Sequence, residues 1–524
     1  MADDGFDNDC RWPRWLLHVD SLTSYKWQPG NVYSGIAEPQ YNAISYTWGR
    51  FQLLDTEEID VKTTPIKGIS WINYLPRIRP GHFTVDELLN TIRTAACPYP
   101  EYDAVDFLWL DIACIDQTPE SPTNRMEVGR QTKIFRGAKD TFIWLPSHRS
   151  NDIGLWVLKL ECVIAARLPI FAGDNRVVAL NSAWFASALE TLRWFIKDPW
   201  FSSLWTLQEA FLSPKAIFIW RDGLSEEFVH LCRNDKGAVK LFTLKMWVSN
   251  WQTVRIRRKR ELQMFPEARE LNEAIDTTGV LGGVYDEWMN NNLFDIEIPS
   301  DLMGNPFQLL AAAKHRTATH REDHVYAIMQ VFDLRLGHSD PSASDRHFTL
   351  DELEIQLASA LLQRYPIFSQ LVTHPTTPRS HPTWMITSDV SLPDEAIFAW
   401  THEALGGEVI ALTSFSVVAG AKNIAARFRG PMASLATFWG VVAPIKLHDV
   451  VLLLDENPEG LPDTHDREPT RFEPHHLSNL QILLLGRLTP PDNVVLMTHQ
   501  KIEKYQNWTV GLLLQSCSTK EQGT

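Results

Sequence analysis

A β-strand that closes on a glycine turn is predicted by the stretch Tyr41-Asn42-Ala43-Ile44-Ser45-Tyr46-Thr47-Trp48-Gly49. Two further apolar runs, Phe107–Ala113 and Thr141–Leu145, have the length and composition of strands that are buried on both faces. Amphipathic helical patterns lie between the runs, and one of them begins with a capping box at Thr84–Glu87. Because strands that alternate with helices indicate a parallel sheet, the sequence predicts an α/β layer over residues 40–215.

Polar and aromatic residues stand where the first two strands are predicted to end. They are Ser45, Tyr46, Trp48 and Gly49 after the first strand, and Asp111 after the second. Ligands of open α/β sheets bind at the carboxyl ends of the strands, so these residues are candidates for a ligand-binding edge. A structural interpretation stays open beside this one, with Trp48 as a core residue and Asp111 as a turn or cap residue.

A third informative segment is the helix predicted to follow Ser202 and Ser203. On this helix Trp205 and Glu209 are one turn apart and share a face, close to the apolar side. A carboxylate held beside an aromatic ring can stabilise a developing positive charge, as at an oxocarbenium-like transition state. The alternative is an exposed glutamate that is favoured by the N-terminal dipole of the helix.

The rest of the chain falls into three regions that differ in sequence pattern. Residues 1–39 are a lead-in to the α/β layer, and residues 216–378 carry helical patterns with further capping boxes. Residues 379–524 consist of short apolar runs separated by Gly, Pro and Asp. We therefore expect a mainly helical region followed by a β-rich C-terminal domain.

Composition and charge restrict the class of protein. The chain has 524 residues, of which 44% are hydrophobic and 22% charged, and this balance excludes a mainly disordered protein. A net charge of −15 disfavours binding to nucleic acid or to an anionic membrane. The six cysteines form no CxxC pair, and no signal peptide or membrane span is evident. These features predict a soluble, cytoplasmic protein with reduced thiols.

The common signatures of nucleotide, hydrolase and metal sites are absent from the sequence, which has no GxxxxGK[ST], GxGxxG, GxSxG, HExxH or EF-hand pattern. His320 and His324 have a spacing that can hold a metal, but no third ligand is indicated, and we expect no metal site. The basic cluster at residues 255–260 is interpreted as a solvated helix face, with a nuclear signal or a patch for an acidic partner as alternatives.

Taken together and in this order, the segments resemble the fungal heterokaryon incompatibility (HET) domain. The resemblance rests on residues 41–49, on Leu108-Trp-Leu-Asp-Ile-Ala-Cys-Ile-Asp-Gln117, on the strand that ends at Leu145, and on Trp205-Thr-Leu-Gln-Glu209. It covers roughly residues 40–215, and Asp116 departs from it because the family usually has Asn there. The resemblance implies a role in fungal non-self recognition and programmed cell death, triggered by an unknown protein or allelic partner.

A more distant resemblance connects the same segments to TIR domains and implies a flavodoxin/TIR-like fold. In enzymatic TIR domains, the glutamate of a Ser-x-x-Trp-Cys-x-x-Glu helix carries NAD glycohydrolase activity, and the similar segment here is Ser202–Glu209. The resemblance implies that Glu209 is catalytic, that Trp205 and Trp48 line the pocket, and that NAD is a substrate with no cofactor bound. Two alternatives stay open: a non-catalytic module that assembles with partners or with itself, and a degenerate family member with a regulatory role.

Overall fold

The structure is a computed structural model. The residues that it describes are 6, 10–47, 53, 64–75, 77–79, 81–98, 103–118, 121–149, 182–213, 216–223, 262, 264–278, 306–340, 347–372, 385–388, 390–392, 408–419, 424–434, 480–489 and 508–515. Trp48, Gly49 and the basic cluster at residues 255–260 lie outside these ranges. The chain divides into two compact units, one made of residues 1–283 and 315–349 and the other of residues 284–314 and 350–524.

The helices and strands of both units are numbered here along the chain. The strands are β1 (Trp15–His18), β2 (Thr23–Lys26), β3 (Val32–Tyr33), β4 (Ile36–Ala37), β5 (Tyr41–Ser45), β6 (Phe107–Trp109), β7 (Thr141–Leu145), β8 (Ile217–Trp220), β9 (Glu408–Ala411), β10 (Ser414–Ala419), β11 (Ile424–Arg429), β12 (Met432–Ser434), β13 (Leu480–Thr489) and β14 (Trp508–Gln515). The helices are α1 (Val85–Ala96), α2 (Asp111–Cys114), α3 (Pro122–Val128), α4 (Gln131–Gly137), α5 (Ser182–Phe195), α6 (Leu204–Leu212), α7 (Pro266–Thr278), α8 (Pro306–Ala313), α9 (Asp323–Met329) and α10 (Leu350–Arg364). Single 3₁₀ turns lie at Ile72–Tyr74, Pro199–Phe201, Gln330–Phe332, Gly337–Ser339 and Phe368–Gln370.

The first unit is built on a six-stranded sheet with the order β2-β1-β6-β5-β7-β8. Strands β6, β5, β7 and β8 are parallel, whereas β1 pairs antiparallel with both β2 and β6. Counted along the chain, the parallel strands have the order 2-1-3-4, which is typical of doubly wound α/β sheets. The prediction of an α/β layer with a parallel-rich sheet is confirmed, but the sequence analysis did not predict the edge strands β1 and β2.

The central strands are buried on both faces, as their continuous apolar sequences indicate. Every residue of β5 and β7 is buried, and the largest fully buried side chains include Trp109, Trp144 and Trp220. Helix α1 begins at the predicted capping box, in which the Glu87 N–H donates to Thr84 Oγ1 over 3.1 Å and the Thr84 N–H donates to Glu87 Oε2 over 2.7 Å. The aromatic core holds the strand ends in fixed positions, and the candidate site lies there.

In the second unit, the described residues comprise α8, α10 and six strands. Strands β10 and β11 form an antiparallel pair, and β13 pairs antiparallel with β9, β12 and β14. The β-rich C-terminal domain and the boundaries at residues 39, 215 and 378 stay predictions. No helix among the described residues has the length and apolar character that crossing a bilayer requires.

Candidate active site

The candidate site lies where strands β5 and β6 end. Ser45 is the last residue of β5 and Tyr46 follows it, while Asp111 opens helix α2 directly after β6. Helix α6 brings Glu209 to the same edge of the sheet, since its carboxyl group contacts Ser45. Four residues that the sequence analysis selected therefore lie close together, as the carboxyl ends of neighbouring parallel strands require.

The centre of the site is a chain of buried hydrogen bonds through Ser45. The Ser45 hydroxyl donates to Glu209 Oε2 and accepts from Trp200 Nε1 over 2.7 Å. Trp200 and Ser45 are fully buried, and Glu209 is only 8% exposed. The alternative of an exposed glutamate at this position is therefore wrong. The side chain extends from α6 to Ser45 at the end of β5 and is buried there.

Burial changes the protonation of this cluster. It raises the pKa of Glu209 to about 8, the Asp111 carboxylate adds to the increase, and the hydrogen bond from Ser45 opposes it. Burial also raises the pKa of Tyr46 well above its ordinary value, with further increases from Asp111 and then Glu209. A pKa of about 8 favours the protonated form of Glu209 at neutral pH, and a bound cation would favour its ionised form.

Trp200 is held in place by Asp198, which is fully buried. Asp198 Oδ1 accepts the Trp200 N–H and Oδ2 accepts the Ser147 N–H, each over 2.9 Å. Burial raises the pKa of Asp198 to about 6, against the effect of these two hydrogen bonds. Neither residue was among the predicted site residues, although an aspartate directly before Pro199 is a helix-start signal that points to this turn.

Trp205 is not the aromatic residue that contacts the Ser45–Glu209 pair. It is half-buried and donates its side-chain hydrogen bond to Asp323, the first residue of α9. Burial raises the pKa of Asp323, and the bond from Trp205 opposes that increase. Trp205 thus connects α6 to α9 in the structure, and its role as a pocket residue stays a prediction.

Residues 315–317 brace the turn that carries Trp200. Arg316 is buried, and its Nη1 donates to the carbonyl oxygens of Trp200 over 2.8 Å and Ser203 over 3.2 Å. Thr317 pairs with the same turn, since its N–H donates to the Ser202 carbonyl oxygen over 2.8 Å. The Trp200 turn therefore depends on a segment more than 100 residues downstream.

The other predicted site residues are Asp111, which the structure describes, and Trp48 and Gly49, which it does not. Asp111 is the first residue of α2 and makes a local contact there, because its Oδ1 accepts the Ile112 N–H over 2.7 Å, so both interpretations of Asp111 persist. Trp48 and Gly49 fall outside the described residues. Their neighbour Thr47 is buried, and its hydroxyl has no hydrogen-bond partner within the described ranges.

Metal binding is not indicated by the described part of the chain. There, no group of three or more His, Cys, Asp or Glu side chains is arranged to hold a metal ion. Asp116 is a turn residue, since it accepts hydrogen bonds from the Thr118 N–H and from the hydroxyls of Ser121 and Thr123. The departure from the family pattern at this position is thus accommodated within a turn.

Part of the chain matches the model of a known family. Residues 41–209 match the family model described as heterokaryon incompatibility protein (HET). The matched span begins at the first residue of β5 and ends at Glu209, so it contains every predicted site residue. The resemblance to the HET domain is confirmed for these residues. No curated protein and no solved structure matches the chain.

Proposed function

We propose that the HET domain at residues 41–209 gives this protein a role in heterokaryon incompatibility, and that it acts by cleaving NAD at Glu209. In this proposal a protein or allelic partner triggers the domain, and the response is death of the fused cell. The strand order 2-1-3-4 is compatible with the flavodoxin/TIR-like fold from which the NAD hypothesis derives.

The observation that carries the proposal is the buried Trp200–Ser45–Glu209 chain of hydrogen bonds at the carboxyl edge of the sheet. A carboxyl group is seldom buried without an ionic partner, and among the described residues only a serine hydroxyl hydrogen-bonds to it. Perturbed carboxyl groups of this kind concentrate at functional sites. Their position at a ligand-binding edge supports a catalytic rather than a packing role.

The chemistry would use Glu209 in its ionised form. Cleavage breaks the bond between C1′ of the ribose and the pyridinium nitrogen, and the bonding electrons leave with nicotinamide, which becomes neutral. The Glu209 carboxylate stabilises the positive charge that develops on the ribose. Water then attacks C1′ and releases a proton. The cationic nicotinamide ring of bound NAD favours ionisation of Glu209, which offsets its raised pKa.

Buried polar atoms support the presence of a ligand at this edge. The hydroxyl of Thr47 and the indole N–H of Trp144 have no hydrogen-bond partner within the described ranges. Unpaired buried polar groups cost about 1–3 kcal/mol each, so such atoms usually contact a ligand or ordered water. Thr47 follows Ser45 by two residues, and Trp144 lies on β7, the strand that pairs with β5.

The proposal is tested by measuring cellular NAD during expression of the full chain in yeast. The wild type is compared with Glu209→Gln, which keeps the shape of the side chain and an acceptor for Ser45 but cannot ionise. Glu190→Gln is the matched control, because Glu190 is an exposed carboxylate on α5 of the same unit. We expect cells that express the wild type or the control to lose NAD and viability. Cells that express Glu209→Gln should lose neither.

The second candidate is a non-catalytic module that kills through assembly with partners. It is favoured by the hydrogen bond from Ser45, which satisfies one Glu209 oxygen within the protein and fits a packing role. It predicts that cells die while NAD stays level, and that Glu209→Gln is as lethal as the wild type. Soluble protein is quantified in every strain, so that failure to express or fold is distinguished from loss of activity.

A further inference from the structure

A second charged cluster lies at the carboxyl edge of the same sheet. It consists of Arg79 and His82 from the loop before α1, Arg149 after β7, and Arg221 after β8, and we call it the arginine cluster. Arg149 and Arg221 contact one carboxylate, that of Glu87 in the first turn of α1, while Arg79 and Arg221 act electrostatically on His82.

Glu87 is fully engaged by the groups around it. Its Oε1 accepts Arg221 Nε over 2.9 Å and lies 3.5 Å from Arg149 Nη2, while its Oε2 accepts the Thr84 N–H. Burial would raise the pKa of Glu87, but the bonds from Arg221 and Thr84 and the charge of Arg149 lower it. One negative charge therefore faces two guanidinium groups directly.

The imbalance of charge extends to His82. Burial lowers the pKa of His82, and the positive charges of Arg79 and then Arg221 lower it further. Burial and the neighbouring positive charges therefore both disfavour protonation of the imidazole. A bound anion would be attracted to such a site.

The turn after β8 fixes the position of Arg221. The Arg221 N–H donates to the His148 carbonyl oxygen over 2.8 Å, and Asn90 of α1 donates to the Asp222 carbonyl oxygen over 2.9 Å. Gly223 adopts a φ of +88°, and a Cβ there would lie 2.7 Å from Asn90 Nδ2. A glycine is therefore required for the contact that places Arg221 beside Glu87.

Uncharged donors accompany the arginines. The indole N–H groups of Trp144 and Trp220 are buried and have no hydrogen-bond partner in the part of the chain that is described. Trp220 directly precedes Arg221, and the Trp144 ring packs on Phe83, next to His82, with 4.5 Å between centroids. The aromatic contact continues from Trp144 to Tyr46 over 5.7 Å, which connects the cluster to the candidate active site.

We propose that the arginine cluster is a subsite for the diphosphate of a nucleotide ligand. Guanidinium groups bind phosphate oxygens through charge-assisted, bidentate hydrogen bonds, and a diphosphate offers two negative charges to several donors. The identity of the nucleotide as NAD rests on the proposed function, but recognition of the diphosphate does not require Glu209 to be catalytic. Arg149 is the member best placed to reorient toward a ligand, because its side chain is 54% exposed.

The test is calorimetric titration of the full chain with sodium diphosphate, ADP-ribose and adenosine. The variants are Arg149→Gln and Arg221→Gln, and the control is Arg193→Gln, an exposed arginine that pairs with Glu270 on α7. We expect each cluster variant to weaken diphosphate and ADP-ribose about tenfold, as loss of a charge-assisted hydrogen bond does, and to leave adenosine unchanged. The control should bind all three like the wild type.

The outcomes separate this proposal from the catalytic one. Sodium diphosphate has no ribose for Glu209 to contact, so its titration tests the arginine cluster apart from the catalytic proposal. If the wild type binds neither diphosphate nor ADP-ribose, or if Arg149→Gln and Arg221→Gln bind both like the control, the subsite does not exist. That result would leave NAD cleavage at Glu209 untouched.

Discussion

Replacing Glu209 by glutamine should make the stability of the protein less dependent on pH. A carboxyl group whose pKa is higher in the folded than in the unfolded chain stabilises the fold while it is protonated in the folded state. This contribution is complete below the ordinary pKa of 4.5 and is lost as the pH rises to the folded value of about 8. The wild type therefore loses stability over this range through Glu209, and the neutral glutamine variant does not.

The magnitude follows from the two pKa values. The difference between about 8 and 4.5 gives a loss of about 4 kcal/mol in the free energy of unfolding between pH 5 and pH 9. Urea unfolding of the wild type and of Glu209→Gln is measured at several pH values. The difference between their free energies of unfolding gives the contribution of Glu209, because the contributions of the other titrating groups are the same in both chains and cancel. Glu190→Gln serves as the control and should follow the wild type. If the free energies of unfolding of Glu209→Gln and the wild type changed with pH in parallel, the burial of the Glu209 carboxyl group would be refuted.

Three further substitutions probe the supports of the site. Asp198→Asn removes one of the two oxygens of a buried carboxylate that accept backbone N–H groups and should lower the free energy of unfolding by about 1–3 kcal/mol, measured by urea unfolding. An unchanged midpoint would contradict the assigned contacts. Ser45→Ala removes both the donor to Glu209 and the acceptor of the Trp200 indole N–H, so the pKa of Glu209 should rise further. A pH titration of tryptophan fluorescence would detect this rise as a higher midpoint than in the wild type. Arg316→Met removes the charged donor to two carbonyl oxygens, which also accept from the Thr206 hydroxyl, and should destabilise the chain by about 1–3 kcal/mol in the same unfolding assay. An effect below about 0.5 kcal/mol would show that the Trp200 turn does not need Arg316.

The parallel core of the fold was predictable from local sequence, and much of the site was not. The apolar runs at β5 and β7 specify buried strands by themselves, because a strand that is covered on both faces needs a continuous apolar sequence. Edge strands β1 and β2 are short and carry mixed polarity, and their pairing depends on β6, about ninety residues away. Such non-local contacts leave no periodic signal in the strand itself.

The same distinction explains which site residues were predicted. Ser45 and Asp111 were identified because the carboxyl end of a parallel strand is a position that sequence can locate. Helical periodicity placed Trp205 beside Glu209, but the contacting indole is that of Trp200, which sits in a 3₁₀ turn outside the periodic pattern. The burial of Glu209 depends on the packing of α6 against the sheet, and hydropathy along the chain does not encode it.

The bond from Arg316 to the Trp200 carbonyl has a consequence for how the protein is made. The two residues are 116 positions apart in the chain, and a ribosome adds roughly 5–20 residues per second. For about ten seconds, a nascent chain already contains Ser45, Trp200 and Glu209 but lacks the arginine that braces them. Assembly of the complete site therefore comes late in synthesis, which delays any activity of the site until the downstream segment has emerged and folded.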